Sequence, residues 1–221
     1  MEKDICADWM AEFPGLKRFR NGRRLLKRHG PIVVGIELEK GRFSDTEYRP
    51  NFIAMSLLDP YSDFTVNRTL VDHKEPQVEL SYVEHGAKYK HVCELMREQA
   101  LLDLQPRKVA PSELRNLYRK DIESLISQGV TPMGVWLGLI FLEKYFGEDA
   151  AALRAAEELH DYAIKLNPAA GGGLYKDLIG DHKMFSEKLN ELEVETLLHR
   201  MQENSKKGGW DKIIDYGISS S

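Results

Sequence analysis

The sequence predicts an α+β protein, with N-terminal helices and a four-stranded antiparallel sheet followed by an all-helical C-terminal region. Between residues 31 and 85, β-branched and aromatic residues form short runs separated by Gly, Pro, Asp and Asn, which is typical of strands. From residue 86 onward, apolar residues recur at helical spacing. The connections between the strands are short, which favours an antiparallel meander over a parallel, doubly wound sheet.

The N-terminal segment has apolar residues at helical spacing and is interrupted at Pro14 and Gly15, which predicts two short helices. The second of these is unusual, because residues 17–28 contain seven basic residues in twelve and no acidic residue. We call residues 17–28 the basic arm. On a helix, four of its cations would share one face, and these are Arg20, Arg23, Arg24 and Lys27.

Four strands are predicted in the central region, and their ranges are 32–39, 51–58, 64–71 and 77–84. Five longer helices are predicted after them, at 87–104, 111–128, 131–146, 149–166 and 183–204. The apolar run from Met133 to Leu142 is too short to cross a bilayer, which takes about 20 residues, so it predicts a buried helix. The tail from Gly208 contains Trp210 and Ile213, so we expect most of it to dock on the fold.

Length and composition place the chain among ordinary globular proteins, because 221 residues with 42% hydrophobic and 30% charged content fit neither collagen nor a disordered chain. The length allows one or two domains. We predict an α+β domain at 1–104, made of the basic helical arm, the sheet at 31–85 and the helix at 87–104. A helical domain at 111–221 is predicted to follow.

Cysteine usage and the N-terminus predict a cytoplasmic protein. Cys6 and Cys93 form no C-x-x-C pair, and no basic segment followed by an apolar run begins the chain. His85, His91 and Cys93 lie within nine residues, but on one helix His91 and Cys93 would point in different directions. We therefore predict no metal site and no cofactor.

An acidic surface on the sheet is the basis of the first functional hypothesis. Residues 31–85 contain ten acidic and five basic residues, and Glu37 and Glu39 share one strand face. Four more acids lie in the adjoining loops, and these are Asp45, Glu47, Asp59 and Asp63. These six residues predict a non-catalytic protein-protein interaction protein, such as an inhibitor, an immunity-type neutraliser or a regulatory subunit, whose protein partner carries basic groups.

A nucleic-acid-binding protein or a metal-dependent nuclease is the alternative hypothesis. The basic arm offers phosphate contacts through Arg20, Arg23, Arg24 and Lys27. The Glu37/Glu39 pair is of the kind that holds a divalent ion, which activates water for phosphodiester cleavage. The remainder of the chain is net negative, which opposes this hypothesis. The basic arm could instead pack on the sheet, with its cations paired to the acidic loops.

Overall fold

The antiparallel sheet lies in the N-terminal half of the chain. The structure is a computed structural model that describes residues 4–20, 22–41, 46–59, 64–73, 77–166 and 181–219. Five strands follow one another in space in chain order, and a sixth pairs with the start of β4. The strands of the described residues are β1 (Lys17–Arg18), β2 (Arg24–His29), β3 (Ile32–Lys40), β4 (Glu47–Ser56), β5 (Val66–Thr69) and β6 (Leu80–Ser81).

Helices flank this sheet in sequence and confirm the predicted α+β class. In the described residues they are α1 (Ile5–Glu12), α2 (His85–Gln99), α3 (Pro111–Ser127), α4 (Met133–Tyr145), α5 (Asp149–Leu166), α6 (His182–Glu191) and α7 (Val194–Gly208), followed by a 3-10 turn at Trp210–Lys212. Helix α4 is buried along most of its length, as predicted for its apolar run. No helix in the described ranges has both the length and the apolar character that a membrane span requires.

The helix predicted for the basic arm is wrong, because the described residues of this segment include strand β1 and most of strand β2. All six residues of β2 pair with β3, in a register that runs from Arg24 opposite Glu37 to His29 opposite Ile32. Leu25 packs into the main core and Leu26 into a second cluster on the other face of the sheet. Only an extended chain sends neighbouring side chains to opposite faces in this way.

Two other predicted boundaries need correction. The predicted helix at 183–204 is two helices, because Leu192 adopts an extended backbone conformation and packs against the core. The predicted helix at 87–104 ends at Gln99. Beyond it, Leu102 and Leu104 are buried in a non-helical segment.

Both faces of the sheet are covered, but by different parts of the chain. On the first face, residues such as Val34 and Phe52 join a continuous core that extends to Leu139 on α4 and Leu197 on α7. This core therefore contains residues of both predicted domains. The boundary between the two domains remains a prediction. The second face carries a smaller cluster, which consists of Leu26, Val33, Ile53, Met55, Leu57, Trp210 and Ile213.

Residues 209–219, which we call the C-terminal strap, cover the second face and then follow the free edge of β2. The backbone N–H of Arg28 donates to the Ile214 carbonyl at 2.9 Å, and the Tyr216 N–H donates to the Arg28 carbonyl at 3.0 Å. The Asp215 carboxylate accepts from the Arg28 guanidinium at 2.7 Å and from the Gly30 N–H at 3.0 Å. The predicted docking of the tail is confirmed for these residues.

A glycine permits the close pairing of β2 and β3. A Cβ at position 35 would lie 1.9 Å from the carbonyl oxygen of Leu25, which is far inside a normal contact. Gly35 therefore allows the two strands to approach at a point where any side chain would push them apart.

Candidate functional site

The cations of the basic arm do not share one face. Arg20 is exposed in the turn after β1, and its guanidinium donates to the carbonyl of Gly208 at the end of α7. Arg23 lies over the Tyr82 ring, with its guanidinium carbon 5.5 Å from the ring centre. Lys27 is fully buried under the non-helical segment that follows α2. The strand thus separates residues that a helix would have grouped.

Lys27 fixes this segment to the sheet instead of facing solvent. Its ammonium group donates to the carbonyls of Asp103 at 2.8 Å and Gln105 at 2.7 Å. Burial lowers the pKa of Lys27 to about 8, so the ammonium form still predominates at pH 7. The lysine predicted to contact phosphate is therefore a buried structural residue.

Glu37 and Glu39 lie on the second face of the sheet, as predicted, but both are paired with arginines. Arg24 donates to Glu37 at 2.7 Å across β2 and β3. Arg49 donates to Glu39 at 2.9 Å across β3 and β4, and its Nε lies 3.7 Å from the Glu79 carboxylate. We call these five residues the charged ladder. The strand register places Arg24 opposite Glu37 and Arg49 opposite Glu39.

The charged ladder remains accessible although its members are paired. The side chains of Arg24 and Glu39 are 41% and 47% exposed, and that of Glu79 is 34% exposed. The side-chain amide of Asn51 donates at 3.1 Å to Glu39 Oε2, which is the oxygen that also accepts from Arg49. The ladder carries three carboxylates and two guanidinium groups, so its net charge is negative.

The other predicted acids contribute less to this surface. Asp59 is only 1% exposed, so it does not belong to an exposed acidic patch. Glu47 is half-buried at the start of β4, opposite Ser81. Asp45 and Asp63 lie outside the described residues. The acidic surface expected from six residues is therefore reduced to the ladder and its immediate neighbours in the part of the chain that the structure describes.

A buried network of hydrogen bonds, which no sequence pattern predicted, joins α1, β4 and α2. Trp9 Nε1 donates to the Tyr48 hydroxyl at 3.1 Å, the hydroxyl lies 2.7 Å from His85 Nδ1, and His85 Nε2 lies 2.9 Å from the Asp8 carboxylate. A carboxylate only accepts, so Nε2 carries the proton and Nδ1 accepts from the tyrosine. The Trp9 ring nitrogen, the Tyr48 hydroxyl and both His85 ring nitrogens then each have a partner.

This network resembles a catalytic relay in its order of groups, but its tyrosine is inaccessible. Tyr48 and His85 are 0% and 1% exposed. Burial raises the pKa of Tyr48, so the phenol keeps its proton. No local motif indicates the relationship, because Asp8 and His85 are 77 residues apart in sequence. The arrangement joins three elements of the fold and provides no reactive oxygen at the surface.

Tyr48→Phe is expected to lower the free energy of unfolding by about 2 kcal/mol, because it leaves two buried ring nitrogens, on Trp9 and His85, without their partner. Urea denaturation followed by circular dichroism measures the change. Tyr162→Phe serves as the control, because its hydroxyl makes only one long, exposed hydrogen bond of 3.5 Å. Equal stability of the two variants would show that the buried hydroxyl contributes nothing.

The structure separates the three residues whose spacing suggested metal ligands. His85 belongs to the buried network described above, whereas His91 is exposed and lies 3.6 Å from Asp72. Cys93 is fully buried, and burial raises the pKa of its thiol to about 12. Within the described ranges, no group of three His, Cys, Asp or Glu side chains has the geometry to hold a metal ion.

His29 is a second titratable group that the sequence did not single out. It is fully buried under the C-terminal strap, with Nδ1 3.3 Å from the Gly217 carbonyl. Burial, with a smaller effect from Lys27, lowers the pKa of His29 to about 4. The imidazole is therefore neutral near pH 7.

Comparison of the chain with protein families, with curated proteins and with solved structures found no match.

Proposed function

We propose that this protein is a non-catalytic binding protein that recognises a protein partner through the charged ladder. The observation that supports this function is the exposed arrangement of paired charges, with an excess of carboxylates, on the second face of the sheet. Glu39 is the residue that best supports the proposal. Arg49 and Asn51 hold its carboxylate in place, while almost half of its side chain is exposed.

The partner would carry basic side chains opposite Glu39 and Glu79, with an acidic group opposite Arg24. Complementary charges of this kind increase association rates and exclude partners with the wrong charge pattern. Residues on paired strands keep their positions before binding, so less conformational entropy is lost when the complex forms. An inhibitor, an immunity-type neutraliser and a regulatory subunit all act by binding of this kind.

Reversing two accessible carboxylates of the ladder, with Glu39→Lys and Glu79→Lys, is expected to weaken partner binding at least tenfold, which corresponds to about 1.4 kcal/mol. The partner would first be captured from its native extract on the immobilised protein, and then purified for titration calorimetry. Glu123→Lys with Glu191→Lys is the matched control, because both residues are exposed helix positions and the change in net charge is the same.

The proposal predicts that the control retains the wild-type affinity and that only the ladder variant loses it. Equal loss in both variants would point to net charge rather than the ladder and would contradict the proposal. Recovery of no stoichiometric partner would contradict it as well. Circular dichroism and thermal unfolding of all three proteins show whether each variant is folded.

A further inference from the structure

Exposed cations from both ends of the chain lie close in sequence to the two residues of one aromatic pair. The Phe19 and Trp210 rings stack with their centres 4.4 Å apart, which joins the β1–β2 turn to the C-terminal strap. Arg18 pairs with Asp4. Five other exposed basic residues lie within four sequence positions of Phe19 or Trp210, and these are Lys17, Arg20, Lys206, Lys207 and Lys212. We call these five residues the cationic collar.

The register of the sheet places Lys17 on the second face, and one hydrogen bond brings Arg20 to the end of α7. Lys17 pairs with Leu26, so its side chain lies on the same face as Leu26 and the Trp210 cluster. Arg20 donates to the Gly208 carbonyl, directly beside Lys207. The last turn of α7 and the turn after β1 therefore lie next to each other.

The collar retains its positive charge, whereas other cations on this face are neutralised. Arg24 is paired with Glu37 and Arg28 with Asp215. No member of the collar forms an ion pair with a carboxylate among the described residues, and Arg20 contacts a neutral carbonyl. Asp211 is the acidic residue that lies within the collar sequence, so the local charge is strongly positive.

The collar fits a polyanion better than a protein surface. The centre of a protein interface is usually apolar and becomes fully buried on binding. Here the aromatic centre is already covered, because Trp210 is only 8% exposed, and the accessible groups are the ammonium and guanidinium groups around it. Such groups contact phosphates and release condensed counterions, independently of base sequence.

We infer that the cationic collar binds the phosphate backbone of a nucleic acid. The collar shares no residue with the charged ladder, and its proposed ligand does not depend on the protein-binding function proposed above. Of the four cations that the sequence grouped on a helix, only Arg20 belongs to it. The other members come from residue 17 and from residues 206–212.

The test measures binding of a fluorescent 20-nucleotide single strand by anisotropy at several salt concentrations. Contact between five cations and phosphates predicts a slope of log K against log salt of about −3.5, so affinity falls about a hundredfold between 50 and 200 mM salt. The variant Lys206→Ala/Lys207→Ala/Lys212→Ala leaves two cations and is expected to show a slope of about −1.4.

The matched control is Lys120→Ala/Lys165→Ala/Lys188→Ala, which removes the same charge from exposed helix positions far along the chain from the collar. The control is expected to keep the wild-type slope. An equal decrease in both triple variants would show a nonspecific charge effect and would overturn the inference. Binding of heparin without binding of the oligonucleotide, or no binding of either at low salt, would also overturn it. Thermal unfolding of the variants verifies that they are folded.

Discussion

Arg68→Ala is expected to lower the free energy of unfolding by about 3 to 5 kcal/mol, because it leaves the buried Asp121 carboxylate without its counter-ion. Arg68 lies on the edge strand β5, and its guanidinium reaches α3. It pairs with the Asp121 carboxylate, donates to the Ser124 hydroxyl at 2.6 Å and donates to the Asp121 carbonyl at 3.0 Å. Asp121 is 1% exposed, so water cannot replace these contacts.

The pH dependence of this loss identifies its cause. Burial already raises the pKa of Asp121 despite the nearby arginine, and removal of Arg68 would raise this pKa further. The destabilisation is then complete at neutral pH and decreases as the pH falls and the carboxyl group takes up a proton. Urea denaturation at pH 7 and pH 5 measures both quantities.

Two further variants make the interpretation specific. Arg68→Met with Asp121→Leu replaces the pair by apolar side chains and is expected to recover most of the lost stability. Arg154→Ala removes an exposed arginine on α5 and is expected to change stability by less than about 0.5 kcal/mol. A loss for Arg68→Ala no larger than that of Arg154→Ala would contradict the role of the buried pair.

Acidification from pH 6.5 to pH 4 is expected to remove about 3 kcal/mol of stability through His29 alone. The unfolded chain binds a proton at this residue below pH 6.5, whereas the folded chain does so only near pH 4. The unfolded state therefore binds more protons in this interval, so the free energy of unfolding falls as the pH is lowered. The groups around the imidazole are Lys27, Arg107, Asp215 and the Tyr216 ring.

The comparison of wild type with His29→Gln isolates this contribution. The variant has no titrating group at position 29, so its free energy of unfolding should fall less between pH 6.5 and pH 5, where fewer carboxylates titrate. Denaturation series at matched pH values give both slopes. Identical slopes for the two proteins would contradict the assignment of this pH dependence to His29.

Hydrophobic periodicity predicted the helices well where the pattern is local. The predicted ends of the helix at 149–166 agree with α5, and those of the helix at 111–128 agree with α3 within one residue. The buried character of α4 followed from its composition. Such features depend on residues a few positions apart, so the sequence contains the information needed to predict them.

The basic arm shows where local reasoning fails. Its spacing suits a helix, yet the pairing of all six β2 residues with β3 and the burial of Leu25 and Leu26 on opposite faces favour a strand. These stabilising contacts form with other elements of the fold, and tertiary contacts override the weak preferences of individual residues.

The candidate sites were predictable only in part. The sequence placed Glu37 and Glu39 on one strand face. It also offered pairing of the basic arm with the acidic loops, whereas Arg24 pairs with Glu37 on β3 itself. Nothing in the sequence indicated that Lys27 is buried. Nor did it indicate that Tyr48 and His85 belong to a buried hydrogen-bonded network. Side-chain burial depends on segments far away in sequence, and a single sequence does not show which segments meet.

The sequence by itself determined the α+β class, the limits of the most regular helices and the unusual concentration of charge in the basic arm. Tertiary structure decided which of those charges remain available for binding. Ion pairing in the ladder depends on the strand register, and the collar depends on the contact of Arg20 with Gly208 at the end of α7. The physical reason is the range of the interactions. Periodicity reflects neighbours along the chain, whereas burial and charge compensation depend on neighbours in space.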